Sequence, residues 1–147
     1  MLRDVVYDAT QQGPAFPAED LGSYIRDYEA GDMPVEDVVD VVCGQCKGTA
    51  FRLMVDQAAG AVRTCVYCGD EHFVADSANH WDDADPAECA CPCGGEEFSL
   101  AVGFARGDDR EVRWISVGAR CLRDGSLGVY ADWEINYTPT GHLPAAV

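Results

Sequence analysis

Lysine is nearly missing from this chain. Of 147 residues ten are basic, Lys47 is the one lysine among them, and 26 acids leave a formal net charge of −16. A surface so negative repels phosphate backbones and anionic lipids, so nucleic acid and membranes are not expected as partners, whereas a protein with a basic face is. The same acidity also maintains solubility. Long apolar runs are absent as well, none approaching the ~18–20 residues that cross a bilayer. The opening stretch MLRDVVYDATQQGPAF, residues 1–16, has neither the basic start nor the apolar run of a signal peptide. The expectation is a cytoplasmic protein. Histidine is scarce too. His72, His80 and His142 stand apart from any Cys or Ser in a catalytic arrangement and read as surface or packing residues. With no phosphate loop, nucleophile elbow or dinucleotide fingerprint, neither catalysis nor a small-molecule substrate is expected.

Cysteine, by contrast, is plentiful. Eight cysteines in a reducing compartment imply metal or catalysis before disulfides. The 48% apolar fraction argues for a folded chain despite the charge.

The organisation reads in five parts. Residues 1–40 carry ten acids and no cysteine. Within them Leu21, Tyr24, Ile25 and Tyr28 recur at helical spacing, which predicts a short amphipathic helix over about 18–30. PVEDVVDVV (34–42) is valine-rich and precedes a cysteine pair, so a strand is expected. Residues 41–76 form a first cysteine-rich unit. Acidic SANHWDDADPAE (77–88) reads as a linker, 89–137 as a second unit and 138–147 as a tail. Short strands are expected at 49–56, 61–65, 71–76, 97–105, 110–120 and 127–137, separated by glycine-containing turns. In the last, YADWEINY places Tyr130, Asp132, Glu134 and Asn136 opposite Ala131, Trp133, Ile135 and Tyr137, the pattern of a one-sided packed edge.

An internal repeat relates the two units. CKGTAFRLMV (46–55) aligns with CGGEEFSLAV (93–102), and RTCVYCGD (63–70) with ARCLRDGS (119–126), setting Phe51 over Phe98 and Cys65 over Cys121.

The first unit holds Cys43-Gly-Gln-Cys46 and, after 18 intervening residues, Cys65-Val-Tyr-Cys68-Gly69. Two such turns facing each other complete a tetrahedron of thiolates. In the second unit the closing turn reads Cys121-Leu-Arg-Asp124-Gly125, so a carboxylate stands where the fourth sulfur would be, while the opening turn has gained a cysteine. On the repeat, Cys93 matches Cys46, and the equivalent of Cys43 falls on Ala90, between Cys89 and Cys91. Two completions follow: Cys89, Cys91, Cys93 and Cys121 as an all-sulfur site, or Asp124 with three of the cysteines. The all-sulfur set is preferred; loss of metal from this half, with the β scaffold retained, is a third outcome.

The paired turns of residues 40–76, CVYCG above all, resemble zinc-ribbon and rubredoxin-like knuckle proteins, and the tandem arrangement is similar to that of small bacterial zinc-ribbon proteins. The resemblance implies a mainly β, small metal-stabilised fold, two tandem zinc-ribbon-like units with a short N-terminal helix, and structural ligands at Cys43, Cys46, Cys65 and Cys68. Two Zn2+ ions are expected rather than iron, because nothing else here suggests electron transfer. The leading functional expectation is a non-catalytic, acidic protein–protein interaction module, for instance an immunity-like or antitoxin-like neutraliser of a basic partner. The alternative is a ribbon associated with transcription or nucleic acid, and after that an iron-binding redox protein.

Overall fold

In a computed structural model of the chain, the described residues are 21–27, 34–56, 60–78, 81 and 85–147. Eight antiparallel strands form one sheet: β1 (Val35–Asp40), β2 (Phe51–Asp56), β3 (Gly60–Cys65), β4 (Glu71–Phe73), β5 (Ala87–Glu88), β6 (Phe98–Arg106), β7 (Val112–Cys121) and β8 (Leu127–Glu134). The order is β4-β3-β2-β6-β7-β8, with β1 against β6 and β5 against β2. A six-residue helix, α1 (Leu21–Arg26), and a 3-10 turn at Leu143–Ala146 complete the described elements.

Over the described residues the chain is thus mainly β with one short helix. The expected strands form where alternation and β-branched residues placed them. PVEDVVDVV is extended over Val35–Asp40, and FRLMVD buries Phe51, Leu53 and Val55 while Arg52 and Met54 face water. Ala87–Glu88, within the expected linker, pairs with Val55 and Met54 of β2.

The two halves meet at one point of the ladder. Phe51 is opposite Cys65 in β2–β3, Phe98 is opposite Cys121 in β6–β7, and Phe51 is opposite Phe98 where β2 joins β6. The sheet curls until β3 and β8 touch. One core therefore gathers Leu53 and Val55 from the first half with Phe104, Ile115 and Trp133 from the second. Buried Asp76, just beyond β4, accepts from Trp133 Nε1 (3.0 Å) and Tyr137 Oη (2.8 Å) and fastens that closure.

On the other face of the sheet, α1 lies against β6 and β7. Ile25 is fully buried there with Leu21, Val35, Ala101 and Leu127. The helix can come this close because Gly103 and Gly118 lack side chains: a methyl at Gly103 would sit 2.5 Å from Ile25 Cγ2, and one at Gly118 would collide with Ile25 Cδ1. The helix is described only over 21–26; Tyr28 and the rest of the expected 18–30 span lie outside the described residues.

Strand β8 departs from simple alternation. Val117 pairs with Ala131 and Gly118 with Val129, leaving Tyr130 as an extra residue. The bulge switches faces. Leu127 packs beneath α1, whereas Ala131 and Trp133, of the same parity, join the main core together with Tyr130.

Candidate metal centres

Both cysteine groups sit where strand ends meet tight turns, and the turns repeat. Cys65 N–H donates to Asp70 O (2.9 Å) and Cys121 N–H to Ser126 O (2.8 Å). Gly69 N–H returns to Cys65 O and Gly125 N–H to Cys121 O, both at 2.9 Å. Val66 N–H reaches Ala50 O and Leu122 N–H reaches Glu97 O, both at 3.0 Å. Gly69 and Gly125 each have φ +80°, a conformation side chains disfavour, which explains why the turn glycine is present in both halves.

In the first centre Cys43, Cys46, Cys65 and Cys68 converge, all four sulfurs lying within 4.8 Å of one another. Cys43 Sγ is 3.6 Å from Cys68 Sγ, and Cys46 Sγ is 3.5 Å from Cys65 Sγ. Four thiolates ~2.3 Å from one ion would be about 3.8 Å apart, so this group has the size of a tetrahedral metal shell. The amides of Cys46 and Gln45 point at Cys43 Sγ and hold that thiol down at about 7. The Asp70 N–H also favours the Cys68 thiolate, but burial and the three neighbouring thiols push it up to about 12. Four such groups ionise together only with a cation among them. The donor set therefore fits a divalent, thiophilic ion.

The second centre consists of Cys91, Cys93, Cys121 and Asp124, again within 4.8 Å. Cys93 Sγ is 3.6 Å from Cys121 Sγ, and Cys91 Sγ is 3.6 and 3.7 Å from the two carboxylate oxygens of Asp124. The Ser126 N–H, 2.9 Å from Asp124 Oδ1, holds that carboxyl down at about 2, so it is an anion at neutral pH. Burial pushes the Cys91 thiol up to about 12. Of the completions open from sequence, the fold assembles the one that uses Asp124.

Cys89 stands outside the group. Its N–H donates to Leu53 O (2.8 Å), continuing the β5–β2 pairing, and its side chain is buried in the main core, where desolvation pushes its thiol upward. The repeat placed the partner of Cys43 at Ala90 because the opening turn is one residue shorter in the second half. Cys43 N–H closes on Gly48 O, whereas Cys91 N–H closes on Gly95 O. Cys91 is the structural equivalent of Cys43, and Cys93 of Cys46.

Two neighbours were not singled out from sequence. Arg63 is buried beside the first centre, its guanidinium 5.1 Å from the Phe51 ring centroid. Burial lowers its pKa, while the charges of Cys43, Asp70 and Cys65 support its protonated form. Its Nε and Nη2 donate to Val147 O, and Nη1 is buried with no hydrogen-bond partner. The available signal was an arginine inside apolar GAVRTC, two residues before a ligand. The other is the residue before the last ligand: the Tyr67 ring lies against Gly48 in the first centre, and Arg123 lies against Gly94 and Gly95 in the second.

Among the described residues, neither His72 nor His142 belongs to either group. His72 Nε2 lies 3.2 Å from Ala146 O, His142 is exposed in the terminal segment, and His80 is outside the described residues. Among the described residues no helix is long and apolar enough to cross a membrane. No protein family, curated protein or solved structure was found to match the chain, so its function has to be read from its own residues.

Proposed function

We propose that the protein is a non-catalytic zinc-binding module that presents an acidic, metal-stapled β surface to a basic protein partner. The observation that carries this is the pair of four-donor groups in one small sheet. In each, protein side chains alone supply a full tetrahedral shell, which leaves no position for water or substrate. The groups Cys43/Cys46/Cys65/Cys68 and Cys91/Cys93/Cys121/Asp124 would hold the two ions. Zinc suits sulfur-rich tetrahedra, and no other feature suggests a role for iron in electron transfer. The matched turn hydrogen bonds support reading the halves as tandem zinc-ribbon-like units joined edge to edge.

The partner assignment rests on charge. Among the described residues Arg106, Arg110 and Arg113 are each engaged by an acid, Asp37, Glu36 and Asp109 respectively, which argues against a basic patch for phosphate. The net charge of −16 favours a basic face instead. Neutralisation of a basic toxin or nuclease is one concrete form. Eight free thiols suit the reducing cytoplasm.

Native mass spectrometry of the purified protein should find two zinc ions per chain. The immobilised holoprotein should retain a protein of basic isoelectric point and release it as salt shortens the screening length from about 8 Å at 0.15 M to about 3 Å at 1 M. A metal-free chain defeats the metal reading. Retention of neutral or acidic proteins that salt does not release defeats the partner reading.

A further inference from the structure

The two candidate centres differ in three ways that all bear on how firmly an ion is held. One carboxylate, Asp124, replaces one thiolate, Cys68. Thiophilic ions such as zinc prefer sulfur, while carboxylate oxygen suits harder cations. The shorter opening turn also changes the amides around the first ligand: Gln45 N–H donates to Cys43 Sγ (3.4 Å), whereas in the second centre Pro92 has no N–H and Gly94 N–H donates to Cys91 O (2.7 Å). A hydrogen bond to the sulfur favours the charged thiolate. Finally, the Tyr67 ring covers the opening turn of the first centre. The same side of the second carries a cleft of about 410 Å³ lined by Gly94 and Gly95 and by two acids, Glu96 and Glu97, as well as Arg52 and Arg123. Arg123 lines that cleft beside Gly94 and Gly95, where the first centre has the exposed Tyr67 ring against Gly48.

We propose that the second centre is an exchangeable site for a thiophilic divalent cation, taking up and releasing its ion while the first stays filled, with Asp124 as the ligand that makes it so. This rests on the reading that both groups bind metal, and extends it to a division of labour between a permanent staple and a labile one. The cleft borders the sulfurs of Cys93 and Cys121 at Gly95, so a chelating acceptor would reach the site there, with Asp124 the donor that would hold a thiophilic ion least firmly.

The test is release from the fully zinc-loaded protein into excess chromogenic chelator, followed by stopped flow. Two phases of equal amplitude are expected, the faster by roughly 10–100-fold, the scale on which changes near a metal alter its hold. Asp124→Cys should slow the fast phase toward the other, and Cys68→Asp should give the first centre a fast phase of its own. A single phase, or a fast phase untouched by Asp124→Cys, overturns the proposal. If either variant fails to fold, the cobalt-loaded wild type decides. The ion that leaves first should carry the weaker sulfur-to-cobalt charge-transfer band of three thiolates, and a four-thiolate band on that ion overturns the proposal. A chain that binds no ion defeats the metal reading and this inference together; two ions leaving in one phase defeat the inference alone.

Discussion

The two centres share their closing turn and differ in their opening one. Behind each, the same glycine conformation and the same backbone hydrogen bonds aim a cysteine and the residue three positions later at a common point. In front, Cys-x-x-Cys in one half becomes Cys-x-Cys in the other, while within the closing turn the last donor changes from the sulfur of Cys68 to the oxygen of Asp124. The opening turn can therefore lose a residue and the closing turn exchange a ligand while the strand register, anchored at Phe51–Cys65 and Phe98–Cys121, stays fixed. The scaffold sets where a donor points; the residue at that place sets what it can hold.

The largest expected effect breaks the comparison at its stronger member. Zinc-finger peptides gain about 10–16 kcal/mol of apparent binding energy that appears as folding energy, against a net stability of about 5–15 kcal/mol for a typical domain. Cys65→Ser, or a strong chelator, should abolish cooperative folding of the zinc-loaded chain at 37 °C, and Cys121→Ser should leave a weaker but measurable transition. Thermal melts by circular dichroism would show it, and melts unchanged after complete metal removal would refute the structural role of both centres.

Arg63 sharpens the comparison, since the second centre has no buried cation described at the matching place, where Ala119 pairs with Leu100. Arg63→Leu should weaken metal binding at the first centre by about 1–3 kcal/mol, the scale of a lost buried charged group, and leave the second unaffected. Competition titration against a zinc indicator separates the two.

Cys89→Ala addresses the rejected ligand. Metal content should remain at two ions, with a modest packing loss of about 1–2 kcal/mol in denaturant unfolding. A drop to one ion would restore Cys89 to the second shell of donors and displace Asp124.

The smallest effect lies away from both centres. Glu111 accepts from the hydroxyl and amide of Thr140, and the hydroxyl contact, followed by the amide, lowers its pKa. A lowered folded value contributes stability above the unfolded value of 4.5 and loses it as pH falls through the folded one. Glu111→Gln should flatten the acid limb of stability slightly without altering metal content. Chemical unfolding between pH 3 and 6 is the measurement.

Much of this was legible in the sequence because it is written locally. The alternation of FRLMVD and the turn glycines depend on neighbours a few residues apart, the repeat is legible by comparing two stretches of the chain, and the structure places Phe51 and Phe98 directly across the ladder. The Cys43/Cys46/Cys65/Cys68 group follows from spacing in the same way. What escaped depends on distant partners. The sequence preferred Cys89 over Asp124 as the fourth donor; what it could not show is β5 pairing with β2, which draws Cys89 into the core. The face switch at Tyr130 needs the register of β7 to be known. The seat of α1 depends on two glycines, at 103 and 118, that carry no periodic signal of their own.

Strand β1 pairs along β6, Val39 opposite Val102 and Asp40 opposite Ala101. On the ribosome, the segment leading into Cys43 therefore emerges about sixty residues ahead of the strand that completes its ladder. Until residue 105 clears the exit tunnel, the amino-terminal half presents an open edge, and neither half is a finished unit without the other. Truncation between them would yield two sticky fragments instead of two small proteins.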